Sequence, residues 1–533
     1  MVTGLVISGA ITLHGIVLYC IVPLATIYLI NALFLSIPNP KGVPLIRERT
    51  GKRSFSLKTR FKYLTSCESL FREAYHNYSK QGKAVIIPGF GCRNELILPT
   101  SSMRWVLSQP DAFLSAWDAF VELDQVYYSL GHSRYVADPW QGNLVKTELN
   151  NMLESVIAAL DDELRVAFDK YFGTDEDNWQ TIDLSEAVKM IVAQGASRFT
   201  VGLPLCRDEQ YLRDTLSVID GLVVNAGITS GTPPILRPIV GRIASLKCRL
   251  AQQKIEKHFK PLYEARLNSL KYAKNEPQHV EPQDHLQLMM RFAQKERPKE
   301  LYDFGIMSRR LTTVNFGSMH QTSIQVINML LNILGSDAEY NTIAVLREEV
   351  NRNMDTAWTK AKISNMWKAD SVARETLRCQ SFTGRAIFRK VMVDGLETDT
   401  EIKLPKGSLI SFLGQPAHAD EAIYDEPQKY DPFRFSRARE AALAAELTKT
   451  NTLSFVSTGP DYLPFGHGKH ACPGRFLIDF ELKIIIAYVL TNYDLRLPEE
   501  YGGKRPPNRW VAEAVFPPSG VKLLVKRRRS VVV

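Results

Sequence analysis

A chain of 533 residues, 45% hydrophobic and 23% charged, has the composition of a globular protein with ample material for a core. Its formal charge of +9, from 66 Lys and Arg against 57 Asp and Glu, is modest for that length, and no basic run is interleaved with aromatics, which argues against nucleic acid as a partner. Seven cysteines (Cys20, Cys67, Cys92, Cys206, Cys248, Cys379, Cys472) are scattered without regular spacing, which excludes a disulfide-stapled scaffold and favours a reducing compartment.

Residues 1–40 hold no Asp, Glu, Lys or Arg, and residues 5–37 are apolar enough to cross a bilayer, which takes roughly 20 such residues. This predicts a membrane helix over 1–37. A cleaved signal would start basic and carry an apolar run of only about 7 to 15 residues. Beyond it Lys41, Arg47, Arg49, Lys52, Arg53, Lys58, Arg60 and Lys62 are opposed only by Glu48, so the charge bias puts the C-terminal side in the cytosol. Pro38, Pro40 and Pro44 with Gly42 make 38–62 a stiff basic hinge, which leaves 63–533 as the folded domain.

Residues 84–87 and 95–98 are strand-like runs on either side of Pro88-Gly89-Phe90-Gly91 and predict a hairpin. Ser101 or Ser102 then caps a short helix running to residue 107. Residues 111–135 lack periodicity and read as a loop. Residues 144–160 have helical spacing, and three prolines break the pattern over 231–239. Residues 304–334 predict a long apolar helix with a polar interruption at 315–323, and polar groups in a buried helix need a reason. Glu375 and Arg378 lie three apart, on one helical face where they can pair, a spacing that by itself contributes little. Residues 526–529 read as a solvated tail.

The run Phe465-Gly466-His467-Gly468-Lys469-His470-Ala471-Cys472-Pro473-Gly474 sets one cysteine in a glycine-rich loop directly before a helical stretch over 476–490. Amides at that helix start would favour the thiolate. Gly466 and Gly468 admit backbone angles closed to other residues, and Gly474 leaves room for something flat and bulky to approach. A thiolate is a ligand or a nucleophile. On the residues alone, a buried structural cysteine or a zinc site from His467, His470 and Cys472 stands beside that reading, although zinc wants a fourth partner or an open position and no Cys-x-x-Cys supplies one.

The loop resembles the haem-binding loop of the cytochrome P-450 family, whose fixed positions are filled here by Phe465, Gly468, His470, Cys472 and Gly474. The polar helix patch, the Glu375-x-x-Arg378 pair and the run Tyr430 to Phe435 containing Arg434 occur in the family's order. The resemblance implies a mainly α cytochrome P-450 fold with a small β region and an N-terminal transmembrane helix. It also implies haem b with Cys472 as the axial thiolate ligand of iron and Phe465 beside the sulfur. His470, Arg389 and Lys146 would reach the propionates. Lys146 follows a fungal variant of the spacing, since the usual count from Trp140 lands on Leu144. Glu375, Arg378 and Arg434 would form a buried structural network. Arg385, where apolar residues are usual, would bind an acidic group of the substrate or serve a propionate, and His418 is a weaker candidate for the haem edge.

In the distal helix the same resemblance gives Gly317 the small position, His320 the acid, Gln321 the usual threonine and Thr322 the following hydroxyl. His320 is expected to titrate near neutral pH, and the three residues would relay protons. Residues 111–135 would cover the substrate cavity, 231–239 would face the membrane, and Val515 and Phe516 would return to the cavity. The implied protein is a monooxygenase of the endoplasmic reticulum membrane with its catalytic domain cytosolic. It would place one atom of O2 in a small lipophilic substrate and release the other as water. The segments resemble fungal members that act in secondary metabolite biosynthesis on terpenoids or meroterpenoids. No Gly-x-Gly-x-x-Gly is present, so electrons would come from NADPH–cytochrome P-450 reductase, with Lys469 helping to dock its acidic surface. Two alternatives stand: a haem-thiolate isomerase or dehydratase that needs no reductase, and a non-catalytic haem-binding membrane protein.

Overall fold

The computed structural model describes residues 22–30, 37–47, 57–89, 93–272, 281–354, 357–446 and 453–529. The expected membrane span lies mostly outside them. Val22–Ile30 is helical, and among the described residues no helix is long and apolar enough to cross a membrane. Part of the 38–62 hinge also lies outside the described residues.

Strands β1 (Val85–Pro88) and β2 (Asn94–Ile97) form the expected hairpin, with Val85 opposite Ile97. They are followed by β3 (Leu114–Ser115) and by helices α1 (Ala116–Leu123), α2 (Trp140–Phe172), α3 (Leu184–Thr200), α4 (Glu209–Gly231), α5 (Arg237–Ala244), α6 (Leu246–Ser269), α7 (Phe304–Tyr340) and α8 (Trp367–Cys379). Strands β4 (Arg385–Val391) and β5 (Leu409–Leu413) complete a five-stranded sheet of order β1-β2-β5-β4-β3, in which only β2 and β5 run parallel. Helix α9 (Arg475–Asn492) precedes the hairpin β6 (Arg509–Val511) and β7 (Ala514–Phe516), and β8 (Lys522–Arg527) closes the described chain.

Aspartates start three of the long helices. Asp183, Asp208 and Asp303 each accept a hydrogen bond from the amide three residues on, at 3.1, 3.0 and 3.0 Å, which satisfies a donor that the helix itself leaves free. Helix α7 is the spine. Its later part, Val326 to Ile333, joins α2, α3 and α9 in the largest hydrophobic cluster, while Met307, Leu311 and Met319 belong to a second cluster with α4 and α6. The polar stretch predicted at 315–323 falls where one cluster gives way to the other. Ile484, Ile485 and Ile486 of α9 are buried in the first cluster, each worth roughly 1.5–3 kcal/mol over an exposed side chain, and they fix the helix whose start adjoins Cys472.

Four expectations change. Residues 111–135 are not a loop: Ser115 caps α1 by accepting from the Asp118 amide at 3.0 Å, and two further short helices follow. The helix after residue 102 exists as Met103–Ser108, but Ser102 does not cap it; its hydroxyl donates to Asp399 at 2.6 Å. The break at 231–239 is brief, because Pro238 falls in the first turn of α5, where its missing N–H costs nothing. Residues 526–529 are only partly solvated: Arg527 pairs with Asp169 at 2.6 Å and is mostly covered, whereas Arg529, 2.5 Å from Asp177, stays exposed as expected.

Candidate active site

The cysteine loop turns through Gly466 at φ +66° and Gly468 at φ +74°, both in the region that glycine adopts without strain. A Cβ at Gly468 would also meet Leu107 at 3.1 Å. The Cys472 amide donates to the Phe465 carbonyl at 2.8 Å, which folds the cysteine back onto that phenylalanine. Amides of Gly474 and Arg475 at the start of α9 hydrogen-bond the sulfur. Burial nevertheless raises the thiol above 9.0, and those amides and the Arg475 charge oppose the rise without reversing it. In the chain alone the helix start works toward the thiolate and desolvation works against it. The side chain is still accessible. A sulfur both desolvated and reachable lies at the floor of a cleft.

The surroundings of that cleft suit a flat anionic macrocycle. A Cβ built at Gly474, or at Gly317 of α7, meets no protein atom within 4 Å. Phe465 stands edge-on to Phe455 at 5.1 Å and, with Pro464, Ile478, Gln321 and Phe382, lines a cavity. Arg389 is 3% exposed, donates to the Phe388 carbonyl at 2.8 Å and has no carboxylate in contact among the described residues. Burial holds its guanidinium down at about 10, opposed only by the charge of Asp111. A buried cation in that state is costly, and a haem propionate is the kind of anion that relieves it. These residues fit haem.

Two arginines compete for that role in the sequence, and the backbone separates them. Arg385 and Arg389 are four apart on β4 and would share a face of a regular strand. A bulge between Ala386 and Arg389, with Ile387 at φ +55°, shifts the register by a residue and parts them. Arg385 is fully buried and pairs with Glu95 and Glu513. Although burial works the other way, Arg385 and Arg93 hold the Glu95 carboxyl well below its usual range. The cation of Arg385 is thus already neutralised, and neither a substrate acid nor a propionate is needed to explain it.

The other expected contacts divide. His470 Nε2 lies 2.8 Å from Asp111, its ring edge-on to Trp117 at 5.5 Å, so the nitrogen expected at a propionate is engaged by a carboxylate. Arg389 is close enough for its charge to lower the pKa of His470, alongside the larger effect of burial, which places both at one edge of the cleft. Lys146 is exposed on α2 and pairs with no acidic side chain among the described residues. His418 is buried, and its Nε2 accepts from the Leu463 amide at 3.0 Å, so it steadies the loop leading to Cys472 instead of the haem edge. His467 bonds Thr458 at 2.9 Å, and among the described residues no three His, Cys, Asp or Glu side chains converge into a metal site.

Glu375, Arg378 and Arg434 come together as expected. Arg378 donates to both Glu375 oxygens at 2.7 and 2.8 Å and to the carbonyls of His418 and Pro427 at 2.6 and 2.8 Å. Arg434 reaches Glu375 at 3.2 Å and the Asp425 carbonyl at 2.5 Å. One carboxylate thus ties α8 to the segment that precedes the cysteine loop.

On α7, Gly317 and Gln321 are exposed while Phe316 and His320 are half-buried. These four share one face of a helix that is otherwise packed, and that face opens on the cleft. Thr322 is 3% exposed and points away from it. His320 is stacked on Phe316 at 5.9 Å and meets the edge of Phe382 at 5.2 Å. Burial lowers its pKa to about 4, so it is a neutral imidazole at physiological pH and not the near-neutral acid expected. Val515 is buried, while Phe516 lies edge-on to Phe382 at 5.7 Å.

The site residues that sequence reasoning missed are Asp111, Glu95 and Glu513, while Trp117, an aromatic of the stretch expected over the cavity, meets the His470 ring. Asp111 precedes α1 and Trp117 lies within it, and Ser115-x-x-Asp118, a capping pattern, was the signal for that helix. Nothing in the sequence marks Glu95 and Glu513 as partners of Arg385.

The family model for Cytochrome P450 matches residues 142–525. The chain is 51% identical over 507 residues to cytochrome P450 monooxygenase pbrC of Penicillium brasilianum, covering 94% of each. It is 49% identical to cytochrome P450 monooxygenase astC of Aspergillus terreus, again covering 94% of each, and 47% identical to cytochrome P450 monooxygenase tenB of Beauveria bassiana, covering 92% of each. Among solved structures it resembles retinoic acid bound cyanobacterial CYP120A1 with a TM-score of 0.64, covering 92% of this chain and 100% of that one at 17% identity, a likeness of fold.

Proposed function

The chain belongs to the cytochrome P450 family and is a haem-thiolate monooxygenase of mainly helical fold, and on that premise we propose that it oxidises a terpenoid or meroterpenoid intermediate of fungal secondary metabolism. Residues 1–37 would anchor it in the endoplasmic reticulum membrane, with the basic hinge and the domain 63–533 on the cytosolic side. NADPH–cytochrome P450 reductase would supply the electrons that the family draws from a redox partner. The observation that carries the site is the sulfur of Cys472, desolvated yet reachable and facing a cleft that is roofed by the open face of α7.

When bound, haem supplies the activation of O2 and the transfer of one oxygen atom to a C–H bond. The chain's own part is to hold and to exclude. Cys472 provides the ligand sulfur, Phe465 shields it, and Gly468 and Gly474 let the loop approach a flat group. Arg389 anchors a propionate, with His470 and Asp111 beside it, and Lys146 is left as a distant second. Gln321, on the open face, offers both a donor and an acceptor to water above the site. His320, neutral and hemmed by rings, passes a proton between partners without being its source. Thr322 contributes from the buried side, as a packing residue. Lys469 is 48% exposed but already paired with Asp111 at 2.9 Å, so its pull on an acidic reductase surface is partly screened.

The test is expression with the reductase, supply of candidate terpenoids, and mass spectrometry of products. Product that depends on O2 and NADPH supports the reading. Cys472→Ser abolishes it, together with the thiolate-type spectrum of the reduced carbon monoxide complex. Turnover that needs neither O2 nor NADPH points to the isomerase or dehydratase reading, which the lack of an ionisable acid on the open face of α7 favours. Within the relay, Gln321→Leu lowers product formed per NADPH consumed. Unchanged coupling in His320→Ala removes that histidine from proton transfer.

A further inference from the structure

Four rings from three separate parts of the chain meet above the site. Phe316 and His320 are one turn apart on α7 and lie nearly parallel, at 23° and 5.9 Å. His320 meets Phe382, just after α8, at 86° and 5.2 Å, and Phe382 meets Phe516 of β7 at 86° and 5.7 Å. The backbone holds the last two together: the Val515 amide donates to the Phe382 carbonyl at 2.8 Å, and the Gly384 amide to the Glu513 carbonyl at 3.0 Å. All four rings remain partly accessible, unlike the rings of the hydrophobic clusters. Beside them Gly317 leaves open space, and exposed Gln321 stands at the end of the row.

We propose that Phe316, His320, Phe382 and Phe516 form a ring-lined wall that selects a planar, unsaturated ring in the substrate. Aromatic groups gain from offset and edge contacts with one another beyond the area they bury. A saturated, puckered ring of the same size gains only burial. The wall therefore reads flatness, and Gln321 meets an oxygen carried by such a ring. This rests on the monooxygenase reading and deepens it: within a terpenoid or meroterpenoid, the part held near the reaction centre is the conjugated portion. His320 serves here as a ring, a role that needs no change of charge.

The experiment uses the haem-loaded full chain and two probes of one skeleton, naphthalene and decahydronaphthalene, followed by equilibrium dialysis and by the shift each causes in the haem absorption. Transfer from water alone favours the saturated hydrocarbon, which carries no polarisable ring face for water to solvate. The wall reverses that order, with a preference for naphthalene of about two- to twelvefold for each ring contact made. Phe516→Leu and, separately, Phe382→Leu lower the preference, His320→Leu does the same, and His320→Phe retains it. Equal binding of the two probes by the parent protein overturns the proposal, as does a preference unchanged in both leucine variants. Because dialysis needs neither reductase nor turnover, a failed wall leaves the thiolate spectrum and product formation intact, whereas a failed monooxygenase reading removes product and leaves the probe preference measurable.

Discussion

Replacing Glu481 by Gln should make the protein more stable at neutral and alkaline pH and flatten its loss of stability as pH rises. Glu481 lies on α9 at 5% exposure, beside a narrow crevice lined by Leu160, Ala196, Phe199 and Leu477, and its Oε1 has no hydrogen-bond partner among the described residues. Desolvation alone raises its carboxyl from 4.5 to about 8. The folded protein therefore keeps this proton up to about pH 8, while the unfolded chain gives it up near 4.5. Between those values the folded state binds more protons, so stability falls as pH rises through the window, with no loss below it and the full loss above it. At about 1.4 kcal/mol per factor of ten, the span amounts to roughly 5 kcal/mol. Glutamine fills nearly the same volume and cannot ionise. Scanning calorimetry of the haem-loaded parent and Glu481→Gln proteins from pH 5 to pH 9 should show curves that diverge with pH. An entropy of unfolding near 2.1 cal/mol/K per residue makes the divergence about 4 °C in Tm at the alkaline end. Parallel curves would show that Glu481 is solvated or paired and would refute the reasoning.

Glu375→Gln should destabilise the protein by about 3–5 kcal/mol, because it strips the charge partner from Arg378, which is 1% exposed, and from Arg434; a urea midpoint equal to the parent's would contradict that. Arg389→Leu should speed loss of haem to a scavenger protein by about 10- to 100-fold, as expected for a charge-assisted hydrogen bond. Arg385→Met should leave that rate within a few-fold and lower stability instead, since it exposes Glu95 and Glu513 to each other without a cation. Exchanged outcomes for the two arginines would mean that the bulge at Ile387 does not sort them as described.

The parts legible in the sequence were those where local spacing and chemistry coincide. Cys472 in its glycine-rich loop, the hairpin around residue 89, and Glu375 with Arg378 on one face of α8 each depend on neighbours a few positions away, and each is found where it was expected. What escaped depends on distant partners. Arg385 and Arg389 are the same residue type on one strand, and only the added residue at Ile387, unreadable from side-chain alternation, decides which meets Glu95 and which remains for an anion. Residues 111–135 showed no periodicity because helices of four to eight residues are too short to display one. The capping pair Ser115 and Asp118 was a better guide there than hydrophobic pattern.

Residue type alone misjudged the chemistry of one central side chain, since a histidine in a polar patch suggests a titrating acid. In the fold Cys472 and His320 both sit where water is scarce but a ligand has access, so burial pushes the Cys472 thiol up and the His320 imidazole down. Arg389 is displaced in the same way but is buried, and it keeps its charge. Displacement by desolvation combined with accessibility is what separates the floor and roof of a ligand cleft from ordinary core. A core residue such as Tyr63 is displaced without being accessible. The two displaced, accessible groups, Cys472 and His320, lie on elements remote in sequence, and that pairing is the strongest physical ground for placing the reaction between them. It also has a consequence for reactivity: a thiolate left free would alkylate faster, but once iron holds the sulfur and haem covers it the lone pair is engaged, so haem-loaded protein should resist alkylation of Cys472 that the haem-free chain undergoes. Equal alkylation of the two forms, followed by peptide mass spectrometry, would break that link.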